Sequence, residues 1–554
     1  MHPAAILVML ALFCLPCSAF QITEFCPDPY LPGDADEYLV ISGSGPLDGI
    51  TVTDGEGGFR FPPGTVIDGS ITIAGQAVAF NKTHGFLPDY EWYDTSPAVP
   101  DVISGDKLRM ANTQDELMLY GSGHLLQKVS WPADVKPREG QVHLLRDGVW
   151  DRRPFFLGQT DLVPVTYSNV TVTAFVSPDC SGEVFSRVFD SAERRIHVNV
   201  YEFTSPVLAE DLMKAKNRGA DVLVLVEGGP VGGISPEEKT VLWNLNTSGI
   251  SVYQMAALPD AKAPYRFDHA KYVVIDRQSV LLTSENFKGS GIPVVGYRGN
   301  RGWGVHLEDP GLASYFDDLF AADLGLKNSI PVAGSFGINE SLPATAYSPE
   351  FSSQRFFGAT VTPVISPDTS YLITDLISGA QESIEIEQAY ITNESPTALN
   401  PYLAAAINAS RRGVHVRVLL DSYWYNTEEE NDNDEMVAVI NRIAATEHLP
   451  LEAKCADLDL NNLEKIHNKG VIVDGRSVLV SSINWNSNSP NFNREAGVII
   501  RHSGVAAYFR EVFEDDWNPR VSTNELTPDT AKYACIVLVI VLLLILYWVK
   551  RRYR

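Results

Sequence analysis

Short alternating runs of apolar and polar residues fill the region from about residue 22 to residue 160. Examples are residues 37–41, 50–53, 70–73 and 116–120, and glycine, proline and aspartate separate them. Alternation with a period of two places one side chain in the core and the next in solvent, as a half-buried strand requires. The pattern predicts an all-β sandwich over residues 22–160.

The pattern changes between about residues 165 and 520, where apolar β-rich segments alternate with helical segments. This alternation predicts an α/β fold. The region also repeats itself, because residues 196–202 correspond to 384–390 and residues 217–226 correspond to 411–420.

In each copy of this repeat an Arg-Gly pair is expected to end a helix just before a buried strand. The two pairs are Arg218-Gly219 and Arg412-Gly413. We therefore expect two similar halves, at 165–327 and 369–520, joined by a Pro/Ser-rich linker at 328–368.

A set of five polar residues occurs late in each half at identical spacing. Counted from a histidine, lysine stands at +2, aspartate at +7, serine at +15 and asparagine at +17. The first set is His269, Lys271, Asp276, Ser284 and Asn286, and the second is His467, Lys469, Asp474, Ser482 and Asn484. A second set at matching spacing in a matching half argues against a chance arrangement.

These residue types suit a phosphate diester. Positions i and i+2 of a strand project to one face, so each His and Lys can contact one ligand together. Lysine ammoniums and Ser or Asn donors can neutralise phosphoryl oxygens. One neutral imidazole can attack phosphorus while the other, protonated, gives a proton to the leaving alkoxide. This scheme requires no metal and no cofactor.

The paired His-x-Lys-(x)4-Asp pattern with Ser-x-Asn resembles the phospholipase D superfamily over roughly residues 165–520. The resemblance implies two α/β halves with abutting sheets, metal-independent phosphodiester transfer and a phosphohistidine intermediate. It also implies that His269 is the nucleophile and His467 the general acid, with Lys271 and Lys469 as catalytic partners. The phosphate-binding or supporting residues expected are Ser284, Asn286, Ser482, Asn484 and Glu495.

In this family an acidic residue after the Asn often orients a catalytic histidine, and Glu495 fits that role. The first half departs from the pattern, because Gly302 stands where a glutamate is expected. Support for one histidine is therefore open, and Glu202 or Glu387 is a candidate for it. The two motif aspartates, Asp276 and Asp474, are expected to be structural and to close turns.

The N-terminal region also resembles the lamin-tail domain, an immunoglobulin-like fold. The residues that carry the resemblance are 37–41, 47–55, 61–65 and 108–112, continuing to 129–131. No cluster of catalytic residue types occurs there, so the resemblance implies a module for adhesion or positioning that binds a surface partner.

Both ends of the chain indicate export and membrane attachment. Residues 1–19 contain an apolar run that ends in small residues, as a signal peptide does. Residues 533–549 carry no charge and precede the basic tail at 550–554, which predicts a single transmembrane helix with that tail in the cytoplasm. The catalytic region is thus expected outside the cytoplasm, at the cell membrane.

Charge narrows the class of substrate. The chain has 43 Lys and Arg residues against 69 Asp and Glu residues, a formal net charge of −26. Nonspecific affinity for nucleic acid needs a basic surface, so this charge argues against a general nucleic-acid coat protein. It is compatible with a small basic pocket inside an acidic shell. A phospholipid is the favoured substrate of the expected phosphodiesterase. The alternatives are an extracellular DNA or RNA nuclease with the same active site, and an adhesion protein that has lost activity.

Overall fold

The computed structural model describes residues 20–131, 138–151, 153–258, 262–341, 345–395, 398–428 and 432–519. These residues form two compact units, one reaching to Asp161 and including Leu258–Tyr265, the other made of Leu162–Ala257 and the chain from Arg266 onward. Within the described ranges no helix is long and apolar enough to cross a membrane. The predicted signal peptide at 1–19, the predicted span at 533–549 and the basic tail at 550–554 lie outside those ranges.

The N-terminal unit consists of two β-sheets and one helix. Its elements are β1 (Gln21–Cys26), β2 (Tyr38–Pro46), β3 (Ile50–Thr53), β4 (Gly58–Arg60), β5 (Val66–Ala74), α1 (Ala77–His84), β6 (Tyr90–Glu91), β7 (Ile103–Ser104), β8 (Asp115–Gly121), β9 (His124–Trp131), β10 (Gln141–Arg146), β11 (Val149–Trp150) and β12 (Phe155–Phe156). One sheet has the order β11-β10-β1-β2-β5-β6, with β12 on β10, and the other has the order β7-β4-β3-β8-β9.

The alternation read from the sequence explains how these two sheets pack. Leu39 and Ile41 of β2 enter one apolar cluster with Val52 of β3 and Leu119 of β8, and β2 belongs to the first sheet while β3 and β8 belong to the second. The unit is therefore a β-sandwich. The unit is not the all-β sandwich that the sequence pattern predicted, because α1 follows β5. Helix α1 buries only Ala77, Ala79 and Phe80, and so few apolar positions give too weak a helical periodicity to recognise in the sequence.

The first half of the second unit alternates strands and helices as the pattern predicted. Its elements are β13 (Tyr167–Ser177), α2 (Ser181–Asp190), β14 (Arg195–Val200), α3 (Pro206–Asn217), β15 (Asp221–Glu227), α4 (Pro236–Thr247), β16 (Ser251–Met255), β17 (Lys271–Ile275), β18 (Ser279–Thr283), β19 (Gly302–Glu308), α5 (Pro310–Leu324) and β20 (Ser329–Pro331).

The second half repeats this order, with one short helix added before its last strand and no counterpart of β20 among the described residues. Its elements are β21 (Gln354–Ser366), α6 (Leu372–Ser378), β22 (Ser383–Gln388), α7 (Pro401–Arg411), β23 (His415–Leu420), α8 (Asn433–Glu447), β24 (Leu451–Cys455), β25 (Lys469–Val473), β26 (Ser477–Ser481), α9 (Ser489–Phe492), β27 (Glu495–Arg501) and α10 (Ser503–Trp517). A short 3-10 turn, Trp424–Asn426, follows β23.

All strands of both halves form one sheet of 15 strands. Its order is β20-β16-β15-β14-β17-β18-β19-β13-β21-β27-β26-β25-β22-β23-β24. Apart from the edge strand β20, the order reads alike outward from the antiparallel pair of β13 and β21. Each half has its own apolar core, so the halves are pseudo-symmetric and their sheets join at the centre.

The region 328–368 is more than the linker that the sequence suggested. Its last part forms the 13-residue strand β21, which lies at the centre of the sheet and pairs with both β13 and β27. The Pro and Ser residues of the earlier part concealed the β-branched run that begins near Thr360.

The ends of the repeated helices follow their local sequence. Helix α3 begins at Pro206 after Ser205, whose hydroxyl accepts a hydrogen bond from the Leu208 amide at 3.3 Å. The chain leaves α3 through Gly219 at φ 104° and leaves α7 through Gly413 at φ 96°, a region that favours glycine. The predicted Arg-Gly helix ends are confirmed, and each feeds the strand whose carboxyl end lies near the motif residues.

Candidate active site

Each motif histidine is held by the backbone of the opposite half. The amide of His269 donates to the carbonyl of Arg494 at 2.8 Å, and the amide of His467 donates to the carbonyl of Arg301 at 2.9 Å. His269 lies two residues before Lys271 at the start of β17, and His467 lies two residues before Lys469 at the start of β25. The two motifs, separated by almost 200 residues in the sequence, therefore meet across the centre of the sheet.

Two buried arginines fix the segments that receive these amides. Arg301 forms ion pairs with Asp179 at 2.6 Å and Asp516 at 2.8 Å, so it joins carboxylates of both halves. Arg494 does the same with Asp323 at 2.9 Å and Asp368 at 3.1 Å. Because an unpaired buried guanidinium is costly, this pairing holds the Asn-Arg segments at the junction.

Lys271 and Lys469 are fully buried, yet neither has a carboxylate within 4 Å among the described residues. Each ammonium donates to the carbonyl of its own motif histidine, at 2.7 Å for Lys271 and 2.6 Å for Lys469. Burial lowers the pKa of Lys271 to about 8 and lowers the pKa of Lys469 well below its usual value. Because burial without a paired anion disfavours the charged form of both lysines, a bound anion would stabilise their ammonium forms.

The ring of His269 is oriented by a carboxylate from the second half. Its Nδ1 lies 2.8 Å from Oε2 of Glu495, which also accepts from the Ser482 hydroxyl at 2.6 Å. Burial favours the protonated form of Glu495, but His269 and the Ser482 hydroxyl lower the pKa of this carboxyl group. Burial also lowers the pKa of His269, so the neutral ring donates Nδ1–H to Glu495 and its Nε2 lone pair stays free.

The ring of His467 faces a carboxylate that the sequence analysis did not select. Its Nδ1 lies 3.3 Å from Oε2 of Glu285. The same oxygen accepts a hydrogen bond from the side-chain amide of Asn300 at 2.9 Å. The sequence does contain a signal for Glu285. It is an acidic residue between Ser284 and Asn286, in the half that has glycine at position 302 instead of the expected glutamate.

The expected alternatives are wrong as partners of His467. Glu202 accepts from Asn286 at 2.9 Å and lies 3.3 Å from Lys288. Glu387 accepts from Asn468 at 3.2 Å and contacts neither histidine through a hydrogen bond or ion pair. Glu202 follows β14 and Glu387 lies near the end of β22, the strands that pair with β17 and β25. Their carboxylates contact the side-chain amides of Asn286 and Asn468 instead of a histidine.

The motif serines and asparagines follow β18 and β26, and all four are buried. Ser482 donates to Glu495 and thereby supports the partner of His269, whereas Ser284 accepts from the Trp303 backbone amide at 3.2 Å. Asn286 donates to Glu202, and Asn484 is held through its backbone amide by the Ser489 hydroxyl at 2.9 Å.

Asp276 and Asp474 lie away from the histidines, at the turns that follow β17 and β25. Asp276 accepts from the amides of residues 193–195 at 2.7–2.9 Å, and Asp474 accepts from those of residues 381–383 at 2.7–3.1 Å. Burial opposes ionisation, but these amide donors lower the pKa of both aspartates. Their contacts are those of turn-closing residues.

The aromatic residues near the motifs divide into core and surface. Trp303 and Trp485 are fully buried and belong to the core, whereas Trp424 is 57% exposed and Tyr425 is 42% exposed. The ring of Tyr201 lies 4.6 Å from that of His269 and 5.3 Å from the ammonium of Lys271. Tyr201 therefore forms an aromatic wall beside the first motif.

The charged groups of the motifs are mainly lysines and histidines, and these are held by other partners. Among the described residues, one group of three carboxylates is close enough to share a cation: Glu91, Asp94 and Asp101 in the N-terminal unit. Glu91 already accepts from the amides of Ala77 and Ser96 at 2.7 and 2.8 Å.

Comparison with solved structures finds several partial matches. A phosphatidylserine synthase from Haemophilus influenzae matches with 14% identity, over 62% of this chain and 86% of that protein, at a TM-score of 0.47. The phospholipase D family member Nuc from Salmonella typhimurium matches with 21% identity, over 31% and 99%, at a TM-score of 0.24. NucT from Helicobacter pylori matches with 17% identity, over 29% and 98%, at a TM-score of 0.25. No curated protein sequence matches the chain.

The family model described as "Cardiolipin synthase, PLD-like domain" matches residues 185–324 and 373–517, which together exceed half of the chain. The two matched segments fall on the two pseudo-symmetric halves, and each contains one of the motifs. The chain therefore belongs to this phospholipase D-like family, whose members cleave or transfer phosphodiesters.

Proposed function

We propose that the protein is a membrane-anchored phosphodiesterase that acts outside the cytoplasm on phospholipid head groups through a phosphohistidine intermediate. The observation that carries the proposal is the pair of buried ammoniums, Lys271 and Lys469, which have no carboxylate partner among the described residues. A phosphodiester anion between them supplies the missing countercharge, and the imidazoles of both motifs lie beside it.

In the first step Nε2 of His269 attacks phosphorus, and the bond from phosphorus to the leaving oxygen breaks. His269 suits this role because Nδ1–H is committed to the ionised Glu495, which leaves the lone pair on Nε2. His467 gives its proton to the leaving alkoxide. The two ammoniums hold the charge that develops on the phosphoryl oxygens.

In the second step water attacks the phosphohistidine. His467, now neutral, takes a proton from the water, the phosphorus–nitrogen bond breaks, and a phosphate monoester leaves. An alcohol in place of water gives transfer instead of hydrolysis, with the same proton movements. Both steps use groups of the chain alone.

Three features support a lipid substrate and a membrane location. The matching family model is described by a phospholipid synthase. The exposed rings of Trp424 and Tyr425 follow β23 and suit an amphipathic interface. The apolar segment at 533–549 with its basic tail would tether the site to a bilayer, and the net charge of −26 disfavours polyanions.

The N-terminal β-sandwich has the pattern of a lamin-tail-like module. We assign it a positioning role, in which it binds a surface partner and leaves catalysis to the second unit. Its described residues include no histidine–lysine pair like those of the motifs.

A direct test offers fluorescent short-chain phosphatidylglycerol and single-stranded DNA to the full-length chain in detergent, side by side. The expected result is release of the lipid head group by the wild-type protein and at least a roughly thousandfold lower rate for His467→Ala. Cleavage of DNA without cleavage of lipid would replace the lipid proposal by a nuclease with the same site. Cleavage of neither would support the inactive adhesion protein and contradict the proposal.

A further inference from the structure

Two buried polar atoms of the site have no hydrogen bond. Among the described residues, Nδ1 of His467 and Oε1 of Glu285 both lack a partner, although Oε2 of Glu285 is 3.3 Å from that nitrogen. Buried polar groups are seldom left unpaired, because each costs about 1–3 kcal/mol. A small rotation of the carboxylate would pair them, so the geometry is that of a contact that tightens when the ring gains a proton.

The surroundings of Glu285 repeat those of Glu495 in the other half. Asn300 donates to Glu285 at 2.9 Å, and Asn493, which occupies the matching place in its Asn-Arg segment, donates to Glu495 at 3.1 Å. The two carboxylates therefore occupy pseudo-equivalent places. They enter from different positions in the sequence, because Glu495 begins β27 whereas Glu285 follows β18.

Gly302 provides the space for this exchange. It stands where Glu495 stands in the second half, and a Cβ atom placed on it would lie 2.5 Å from Cγ of Glu285 and 2.8 Å from Oγ of Ser284. Real Cβ atoms essentially never approach so closely. In the second half the residue matching Glu285 is Ile483, which is fully buried and leaves the place to Glu495.

We propose that Glu285 is the positioning carboxylate of His467, and that it replaces the glutamate missing at position 302. Each histidine is thereby supported by an acid of the opposite half: Glu495 for His269 and Glu285 for His467. This assignment rests on the proposed function, since it gives the general acid of that reaction its proton partner.

The two acids differ in charge, which suits two different roles. Burial raises the pKa of Glu285 to about 7, whereas the pKa of Glu495 is lowered despite burial, by His269. Burial, together with the neighbouring cations of Lys469 and Lys465, lowers the pKa of His467 well below its usual value. Near neutral pH the pair therefore holds its proton on the Glu285 side, from which the ring can receive it. A general acid needs that proton, whereas the nucleophile needs the ionised partner that Glu495 provides.

Glu285→Gln separates this role from a structural one. Glutamine keeps an oxygen that accepts from Asn300, but it removes the charge that stabilises the imidazolium of His467. With the full-length protein labelled with ¹³C at histidine Cε1, we expect the titration of His467 to move to lower pH and that of His269 to stay in place. Glu495→Gln is the matched control, and it should move the titration of His269 alone.

Activity supplies a second measurement. Glu285→Gln should lower kcat about tenfold to a thousandfold with KM changed less than about threefold, because substrate binding relies on the lysines. The double variant Glu285→Ile with Gly302→Glu copies the arrangement of the second half and should have a kcat at least about threefold above that of Glu285→Gln. Gly302→Ala, which keeps the acid but displaces it, should lose activity as Glu285→Gln does.

Three outcomes would overturn the assignment: an unmoved His467 titration in Glu285→Gln, an unchanged kcat, or a double variant no more active than Glu285→Gln alone while folded. The titration does not depend on turnover. If the wild-type protein cleaves no diester while the titrations shift as expected, the proposed function fails and the Glu285–His467 pairing stands.

Discussion

Nδ1 of His269, in the first half, lies 2.8 Å from Oε2 of Glu495, in the second half. The amide of the same histidine donates to the carbonyl of Arg494, the residue before that glutamate. Side chain and backbone of His269 are thus both fixed by one short segment of the opposite half. This arrangement of His269 exists only when the two halves are packed together.

Glu495→Gln should therefore impair catalysis more than folding. Glutamine can present its N–H to Nδ1 and hold the ring in the wrong tautomer, as happens when the acid of a catalytic triad becomes an amide. We expect kcat to fall of the order of 10²–10⁴-fold. Steady-state kinetics with a chromogenic phosphodiester measures the loss, and a decrease smaller than threefold would contradict the role of Glu495.

The pH dependence of kcat should have a descending limb with an apparent pKa near 7. The Glu285–His467 pair holds the proton for the leaving group, and burial raises the pKa of Glu285 to about 7. Activity is thus retained below this pH and lost as pH rises through it. A kcat that stays constant between pH 6 and pH 9 would be inconsistent with a proton held there.

Asp276→Ala should reduce stability, because three backbone amides lose their acceptor. We expect about 1–2 kcal/mol from chemical denaturation. The amides lower the folded pKa of Asp276 below its unfolded value, so its contribution is present above about pH 4 and lost as pH falls through the folded pKa. The variant should therefore lose less stability than wild type on acidification, and equal losses would argue against this contribution.

Arg301→Met should destabilise the second unit strongly. The arginine side chain is buried and pairs with Asp179 and Asp516, so its removal leaves two uncompensated acids. A loss of about 3–5 kcal/mol is expected for breaking such a group. Denaturation followed by tryptophan fluorescence measures it, and a loss below about 1 kcal/mol would show that the cluster is not needed to hold the junction.

Excess chelator should leave phosphodiesterase activity unchanged within about twofold. The motifs offer lysines and histidines to the substrate, and their cationic character disfavours a divalent ion at the reacting phosphate. Assays after dialysis against EDTA, with and without added Mg²⁺ or Zn²⁺, test this expectation. Loss of activity that an added metal restores would exclude the proposed scheme.

The sequence predicted the duplicated α/β halves, the β-sandwich, the Arg-Gly helix ends and the two motifs, because each leaves a local pattern. It did not predict that β21 lies at the centre of the sheet, since pairing with β13 is a long-range property that Pro and Ser residues upstream obscured. Glu285 was not predicted for a related reason. Its partner His467 is 182 positions away, and the space beside Gly302 that lets Glu285 reach it is a property of the folded chain.

In the proposed mechanism a covalent phosphohistidine forms on one histidine and is resolved with the help of the other. The most direct test incubates His467→Ala and His269→Ala, each at full length, with a ³²P-labelled phosphodiester that has an activated leaving group. The protein is then isolated without an acid quench, and the labelled peptide is mapped. With the proposed mechanism we expect an acid-labile, base-stable label on His269 in His467→Ala and no label in His269→Ala. A wild-type enzyme that turns over while neither variant nor wild type carries a phosphohistidine would contradict it.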